Sequence, residues 1–473
     1  MSKKKKQKSM EELLEEALVP EEEQPYPVPE NWVWVNCGAI AEIVRGVSYK
    51  KDQVEQFKNA NTSLVIRGGN IQEGKLVNQD DNVYVKNDII NENQRLQEKD
   101  VLLVSSTGSN KVIGKAASVT PEFVNESFGA FVTLLRPDKK INGDYFGFYF
   151  QSSSYKSVIS NLAKGSNIKN IKKEHLQNLS FPLPPLNEQK RIAEKVERLF
   201  AKIDEAKRLI EEVKESFEFR RAAILDKAFK GQLGTNDPNE KSMLETSNEI
   251  KEKDLIPKEE QPYEVPENWV WVKTGAIFEQ IKEQVLPVGN ETYVGLEHLI
   301  KGGGISHTEL AKDIKSKKVV FKKGDVLYGK LRPYLNKHAV VDFDGVASTD
   351  ILVFRTEHKY LNQLLDYYLG LPSTIDYAVS NSNGINLPRV SPKKMNDLPF
   401  PLPPKNEWKR IVKILDKMLN NLIEEQTLIE QLEAELASLK NSILYKAFRG
   451  ELGTNDPNDE HAIELLKEVL KSK

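Results

Sequence analysis

The sequence predicts an α+β protein made of two mixed α/β modules and two long, near-constant helices. Three observations carry that prediction. First, blocks of sequence occur twice. Gln24-Pro-Tyr-Pro-Val-Pro-Glu-Asn-Trp-Val-Trp-Val35 returns at Gln261–Val272, Phe181-Pro-Leu-Pro-Pro-Leu-Asn-Glu-Gln-Lys-Arg-Ile192 at Phe400–Ile411, and Lys227-Ala-Phe-Lys-Gly-Gln-Leu-Gly-Thr-Asn-Asp-Pro-Asn239 at Lys446–Asn458. Second, the stretches between the first and second blocks hardly match and alternate short apolar runs with turn residues. Third, the stretches between the second and third blocks carry a heptad pattern in both copies. At 473 residues with 39% hydrophobic content, the chain is long enough for several cores.

The variable regions come first. Ser63–Ile66, Asp100–Val104 and Gly129–Leu135 read as strands in the first copy, and Val319–Phe321, Asp325–Tyr328, His338–Val341 and Asp350–Phe354 in the second. Phe146–Leu162 and Leu361–Val379 read as helices that follow the strands. Trp32 to Trp269 spans 269 − 32 = 237 residues and Phe181 to Phe400 spans 400 − 181 = 219, so the first insert is 18 residues longer.

The long helices follow. The predicted seam of the first is Ile192, Val196, Leu199, Ile203, Ala206, Ile210, Val213, Phe217 and Ile224. Adding 219 gives Ile411, Leu415, Met418, Leu422, Ile429, Leu432, Leu436, Leu439 and Ile443 in the second, with Glu425 and Arg220 as polar exceptions in one copy each. Steps of four and three mark a coiled-coil seam. Asn187 and Asn406, each after two prolines, are predicted N-caps, and Gly231 and Gly450 predicted C-terminal stops. A helix from Asn187 to Gly231 is roughly 65 Å long and needs a partner for its apolar stripe; the other copy supplies one. The pattern alone allows parallel or antiparallel pairing, and two equal modules on one linker favour a pseudo-twofold, antiparallel pair. Residues 237–260 are polar and patternless and read as linker. Glu464-Leu-Leu-Lys-Glu-Val-Leu470 resembles Glu12-Leu-Leu-Glu-Glu-Ala-Leu18, so the chain is expected to be circularly organised, its end resuming its beginning.

Composition excludes several classes. No apolar run is long enough for a membrane span, and Met1-Ser-Lys-Lys-Lys-Lys6 is not followed by the apolar stretch of a secretory signal. A single cysteine, Cys37, rules out a disulfide framework and fits a reducing cytoplasm; Thr274 at the matching place makes Cys37 a packing residue. The six histidines have no metal-ligand spacing. Gly302-Gly-Gly304 lacks the context of a phosphate loop and reads as a turn. Asn236-Asp-Pro-Asn239 lacks the second proline and the aromatic of an amino-methyltransferase loop. No catalytic residue, metal site or methyl-donor site is expected.

The net charge of −2 does not advertise nucleic acid, yet Lys301–Lys337 holds ten basic and three acidic residues, a local balance of 10 − 3 = +7. Within it, Lys330-Leu-Arg-Pro-Tyr-Leu-Asn-Lys337 interleaves side chains that reach phosphates and base edges. Ser105-Ser-Thr-Gly-Ser-Asn-Lys111 stands after the corresponding strand of the first module. A second pair of polar loops, Lys164-Gly-Ser-Asn-Ile-Lys169 and Asn383-Gly-Ile-Asn-Leu-Pro-Arg389, corresponds through Gly165 + 219 = Gly384 and Asn167 + 219 = Asn386. Solvated surface is the bland reading of any one of these lysines; the pairing of loops across both modules is the stronger signal.

Two Phe-Pro-Leu-Pro-Pro-x-Asn-Glu blocks, each leading a heptad helix that ends in Lys-Ala-Phe-x-Gly-x-Leu, with Val-Pro-Glu-Asn-Trp before each module, resemble the specificity subunits of type I restriction–modification systems. Lys323-Gly-Asp-Val-Leu-Tyr-Gly-Lys-Leu-Arg-Pro-Tyr334 is similar to one class of that family's target-recognition domains. The resemblance implies an N-terminal arm (1–30), target-recognition domains at 31–186 and 268–405, spacer helices at 187–230 and 406–449 pairing antiparallel, a linker (231–267) and a tail (450–473). It implies a non-catalytic subunit that reads double-stranded DNA for two methyltransferase (modification) subunits and, in a full complex, restriction–translocation subunits. S-adenosylmethionine, ATP and Mg2+ then belong to those partners and none to this chain. Two unlike readers predict an asymmetric target in two halves with an unread gap, and adenine methylation directed by each half. The candidate DNA contacts are Arg67, Ser105, Thr107, Ser109, Asn110, Lys111, Lys164, Asn167 and Lys169 in the first module. In the second they are Lys330, Arg332, Tyr334, Asn336, Lys337, Asn383, Asn386 and Arg389. A coiled-coil adaptor without DNA binding is the competing expectation; it explains the helices but not the paired polar loops.

Overall fold

The computed structural model describes residues 8–72, 74–109, 112–162, 169–247 and 250–472, except the side chain of Lys169. Two compact units divide the chain: residues 1–209 with 432–473, and residues 210–431.

In the first unit the strands Ala116–Ser118, Val101–Val104, Val132–Pro137 and Ala41–Arg45 form an antiparallel sheet in that order. A second sheet, Ser127–Phe128, Thr62–Ile66, Val83–Lys86 and Val54–Glu55, contains one parallel pair. The second unit repeats the plan. Its antiparallel sheet runs Glu279–Ile281, Ile351–Arg355, Val326–Gly329, His338–Val340, and a five-stranded sheet holds the parallel pair Thr292–Val294 and Gly345–Ala347. All the predicted strands are present. The central ones are near-continuous Val/Leu/Ile runs because both faces are covered: Val101, Leu102 and Leu103 are fully buried. Each expected helix is two: Gly143–Tyr149 and Ser153–Leu162, and Lys359–Leu369 and Pro372–Ser380. Ser152 Oγ accepts the Tyr155 N–H at the first break. Gly370 and Pro372 make the second, since proline has no N–H for the helix ladder and disfavours helical backbone before it.

The repeated blocks close each variable region at its neck. Val33–Asn36 pairs antiparallel with Ser180–Leu183, and Val270–Lys273 with Pro399–Leu402. Thus the Asn-Trp-Val-Trp block and the Phe-Pro-Leu block of each copy are partners in one ladder, and Phe181 and Phe400 are fully buried beneath it. Cys37 lies in this core, as Thr274 does in its copy.

The long helices run Leu186–Phe229 and Lys405–Ala447. They start one residue before the predicted caps, so Asn187 and Asn406 are inside the helix. The prolines take the capping role: Gln189 N–H donates to the Pro185 carbonyl and Glu407 N–H to that of Pro404. Gln189 Nε2 and Trp408 Nε1 reach the carbonyls of Pro184 and Pro403 at 2.9 and 2.8 Å. Gly231 and Gly450 have φ of +67° and +71° and end the helices as left-handed caps. Gln232 N–H returns to Lys227 and Glu451 N–H to Lys446. A Cβ at either glycine would lie 2.4 or 2.3 Å from Pro266 or Pro29, so the helix end and the module neck meet where only glycine fits.

Within the first unit, Ile192, Val196 and Ile203 from the start of the first helix share a core with Ile443, Leu444 and Ala447 from the end of the second. Within the second unit, Leu225, Ala228 and Phe229 from the end of the first share a core with Ile411, Val412 and Leu415 from the start of the second. Both order the helices antiparallel. Ile210, Phe217 and Leu422 are buried as predicted; Leu199, Ile224, Met418, Ile429 and Leu436 are half-buried. Val213, Leu432 and Leu439 are exposed, at 39%, 42% and 49%. Burial is densest where a helix end also packs on a module, and heptad spacing alone does not report that second partner. Arg220 and Glu425, read as separate irregularities, form one ion pair at 2.6 Å in the second unit. By the 219 offset their counterparts are Leu439 and Ala206 (220 + 219, 425 − 219), so one seam level is ionic in one copy and apolar in the other.

A polar knot ties each helix start to its neck. In the second unit the buried Glu407 carboxylate accepts from Thr235 Oγ1 (2.7 Å), Asn236 Nδ2 (3.0 Å) and Trp269 Nε1 (2.8 Å), while Arg410 binds Glu240. In the first unit Glu188 accepts from Thr454 Oγ1 (2.6 Å) and Arg191, and Arg191 pairs with Asp459. Asn31 Nδ2 donates to the Asp456 carbonyl. Burial pushes the Glu188 carboxyl up, and Thr454 and Arg191 pull it back. The segment after the second helix therefore joins the N-terminal segment in the first unit, where helices Met10–Ala17 and Ala462–Lys471 also pack together, which is the expected circular plan. The supposed linker is not featureless. Met243 and Ile256 are buried, and Leu255 bridges Val272 as Leu18 bridges Val35. Its apolar residues are too sparse to show a period, yet Met243, Ile250 and Leu255 pack into the core of the second unit.

Candidate nucleic-acid interface

The same three backbone segments converge in each module. In the second, the chain leaves strand Val326–Gly329 at Lys330, whose N–H donates to the Asp350 carbonyl and whose own carbonyl accepts from Val390 N–H. Leu331 bridges Arg389, and Arg332 N–H donates to the Pro388 carbonyl at 2.7 Å. In the first, the chain leaves strand Val101–Val104 at Ser105. The N–H groups of Ser105 and Ser106 donate to the Phe131 carbonyl at 2.9 and 3.2 Å, and Ile171 N–H donates to the Ser105 carbonyl. Ser106–Thr107 pairs with Lys169–Asn170. The two expected loops of each module are thus stitched into one short ribbon, and the third segment, at Phe131 and Asp350 (131 + 219 = 350), underlies both.

The side chains on these frames differ. In the second module Arg332, Asn383, Asn386 and Arg389 are exposed and Tyr334 is 50% exposed. Asp350 Oδ1 lies 3.3 Å from Arg389 Nε and 3.8 Å from Lys330 Nζ, so one carboxylate orients two cations. Arg332 has φ +51° and Asn336 φ +46°, flanking a tight turn at Pro333–Leu335. Left-handed backbone at an arginine costs on the order of 1–3 kcal/mol, and the hydrogen bond to Pro388 helps hold it there. In the first module Thr107 and Ser109 are half-buried and Asn170 is exposed. Phe131 is 70% exposed at the rim of a ≈ 180 Å³ recess that Arg45, Asn170 and Lys173 also line.

Several predicted contacts turn inward. Ser105 is buried, accepts from Thr133 Oγ1 at 2.8 Å and donates to the Phe131 carbonyl; its hydroxyl braces the frame. Asn336 is buried at 7%, and its carbonyl accepts from Gly302 N–H. Lys337 Nζ donates to the Leu296 carbonyl at 2.6 Å. Arg67 pairs with Asp81 at 2.8 Å. Asn110, Lys111, Lys164 and Asn167 lie outside the described residues, as does the Lys169 side chain. Of the basic run, Lys312, Lys315 and Lys317 fall between strands Glu309–Leu310 and Lys318–Phe321, on the other sheet. Asp350, Phe131 and Asn170 were missed; the 219 offset that pairs the loops would have found them, since Arg389 − 219 is Asn170.

Other candidate chemistry is weaker. His298, His307 and Glu309 bring ligand atoms within 4.8 Å of one another. However, His298 Nδ1 accepts from Gly295 N–H at 3.1 Å, which puts the neutral ring's proton on Nε2, the atom a metal would need. Gly302–Gly304 form the expected turn, with φ of +84°, +115° and +97°. Among the described residues no helix is long and apolar enough to cross a membrane.

Known proteins share this organisation. The family described as "Type I restriction modification DNA specificity domain" matches residues 29–215 and again 248–434, an offset of 248 − 29 = 219. The specificity subunit of the type I restriction enzyme StySPI from Salmonella potsdam is 29% identical over 445 residues, covering 90% of each chain. That of EcoKI from Escherichia coli K12 is 28% identical over 454 residues, again with 90% of each covered. A chain solved in a study of complex assembly and conformational transition of the type I R-M system superposes with a TM-score of 0.64 at 18% identity, over 90% of this chain and all of that one. The HsdS subunit from Thermoanaerobacter tengcongensis gives 0.57 at 19%, over 91% of this chain and all of that one. With its defining domain matched twice, through both necks and into both long helices, the chain belongs to the type I restriction–modification DNA specificity family.

Proposed function

We propose that this chain is the DNA-reading subunit of a type I restriction–modification enzyme and that each module reads one half of a bipartite, asymmetric target. The observation that carries this reading is the doubled frame: one backbone arrangement presents Lys330, Arg332 and Arg389 in one module and Thr107, Phe131 and Asn170 in the other. Arginine suits guanine and asparagine suits adenine in the major groove, while lysine suits phosphate. Unlike side chains on equal frames give unlike half-sites. The repeated necks and helices would seat two copies of one partner, the methyltransferase subunits, which bring S-adenosylmethionine and methylate adenine. Restriction–translocation subunits, where present, bring ATP and Mg2+. In this reading the chain contributes sequence choice and no catalytic group, in the cytoplasm. A coiled-coil adaptor would need neither frame.

The test is a gel shift of the chain with its methyltransferase partner on random-sequence duplex DNA, followed by single-molecule sequencing of the methylated adenines in the host. A bipartite motif with unrelated halves is the expected result. Binding without any sequence preference would refute the reading.

A further inference from the structure

The position shared by Phe131 and Asp350 sits under both loops of its module, and the two residues there are chemically opposed. Asp350 is half-buried and is engaged by Lys330 and Arg389. Phe131 has no such use. Its carbonyl is fixed: it accepts the N–H groups of Ser105 and Ser106 and the Ser105 hydroxyl. Gly129 N–H, two residues earlier, is fixed to the Ile66 carbonyl, and Val132 N–H to that of Gly129. The facing Gly46 packs backbone to backbone against it, since a Cβ there would lie 2.2 Å from the Gly129 oxygen. The ring is therefore presented outward, 70% exposed, on a rigid support. A lone exposed apolar side chain is ordinary; one on a fixed carbonyl, lining a recess with Arg45, Lys173 and Asn170, suits a partner that is apolar at one point and anionic around it.

Building on the proposed DNA-reading function, we infer that Phe131 is a specificity residue that contacts the 5-methyl group of a thymine in the first half-site. The Ser106–Thr107 and Lys169–Asn170 ribbon is the kind of element that enters the major groove, where thymine alone shows a methyl group. Asn170 stands beside it with the amide that pairs with adenine N6 and N7, and Arg45 and Lys173 suit the flanking phosphates. The second module, with Asp350 at this place, has no counterpart contact.

The test uses the full chain assembled with its methyltransferase partner. Duplexes carrying the wild-type motif are compared with duplexes in which each thymine of the first half-site is replaced in turn by uracil, which lacks the methyl. At one position, wild type should bind the uracil duplex about fourfold more weakly, the worth of one buried methyl group. Phe131→Ala should bind both duplexes equally, and its methylome should relax at that position while the second half-site stays unchanged. Phe131→Leu, which keeps an apolar tip, should retain part of the discrimination. The inference is overturned if Phe131→Ala still distinguishes thymine from uracil. It is also overturned if that variant loses affinity evenly across all sequences, which would make the ring a stacking wedge. Failure of the DNA-reading function would look different: the wild-type complex would show no bipartite motif before any variant was made.

Discussion

Where the first module leaves its central strand at Ser105, the second leaves at Lys330; where the first has Phe131 and Asn170, the second has Asp350 and Arg389. The main-chain hydrogen bonds around these residues are the same in kind and direction. A ribbon stitched by its own backbone does not depend on its side chains for shape, so they are free to differ. The necks add a second layer of bonding. There, beside the backbone ladder, Trp269 donates to Glu407 and Thr235 to the same carboxylate, so buried side chains are partners of one another. Changing one would leave a buried polar group unpaired, which costs about 1–3 kcal/mol. Side chains with buried side-chain partners stay constant and side chains on the self-stitched ribbon diverge, in line with the alternation of repeated and unrelated sequence along the chain.

The comparison can be broken most severely by exchanging residues 36–180 for the corresponding region of another family member. If the modules read independently, the first half of the methylated motif changes completely and the second is untouched. Affinity for the old target should fall by roughly 10³-fold or more. Change in both halves would show that the readers are coupled.

Next in size are the helices. Ile203 is buried in the first unit and Leu422 in the second. Ile203→Asp or Leu422→Asp buries an unpaired charge, at about 3–5 kcal/mol. Each variant should melt earlier in calorimetry and lose methylation of both half-sites together. Normal melting of either would show that its seam position does not pack.

A sharper contrast sets Arg332→Ala against Thr107→Ala, the equivalent place on the other frame. Arg332→Ala should weaken binding by about 1–3 kcal/mol, and Thr107→Ala by less. If Arg332 reads a base, one position of the second half-site relaxes; if it holds a phosphate, the salt dependence of binding flattens by about one unit. An Arg332→Ala protein identical to wild type in affinity, salt slope and motif would leave that arginine a structural role only.

The smallest effect belongs to the one ionic seam level. Its hydrogen bond from Arg220 holds the Glu425 carboxyl below its usual range. Such a group adds stability above the ordinary glutamate pKa and loses it as pH falls through the lowered folded value. Arg220→Leu with Glu425→Ala, which imports the apolar pair of the other copy, should barely move Tm near pH 7. Tm should also fall less on acidification than in wild type. A large loss at neutral pH would mean that the pair specifies helix register.

The repeat, the strands, the two long helices and the family resemblance were legible in the residues alone, because periodicity and blocks of identity survive without coordinates. Even the offset of 219 contained the pairing of Phe131 with Asp350 and of Asn170 with Arg389. Tertiary structure decided the rest. Ser105, Asn336 and Lys337 look like surface polar residues, but Ser105 and Lys337 bond Thr133 and Leu296, groups distant in sequence, and Asn336 is buried. Val213 and Leu439 keep heptad spacing yet are exposed, since a period fixes which way a side chain points on its helix and not whether anything lies opposite. Antiparallel order was likewise left open by the pattern. It follows from Ile192 and Ile443 sharing one core and Leu225 and Ile411 another, which is a matter of contact between segments that no local pattern records.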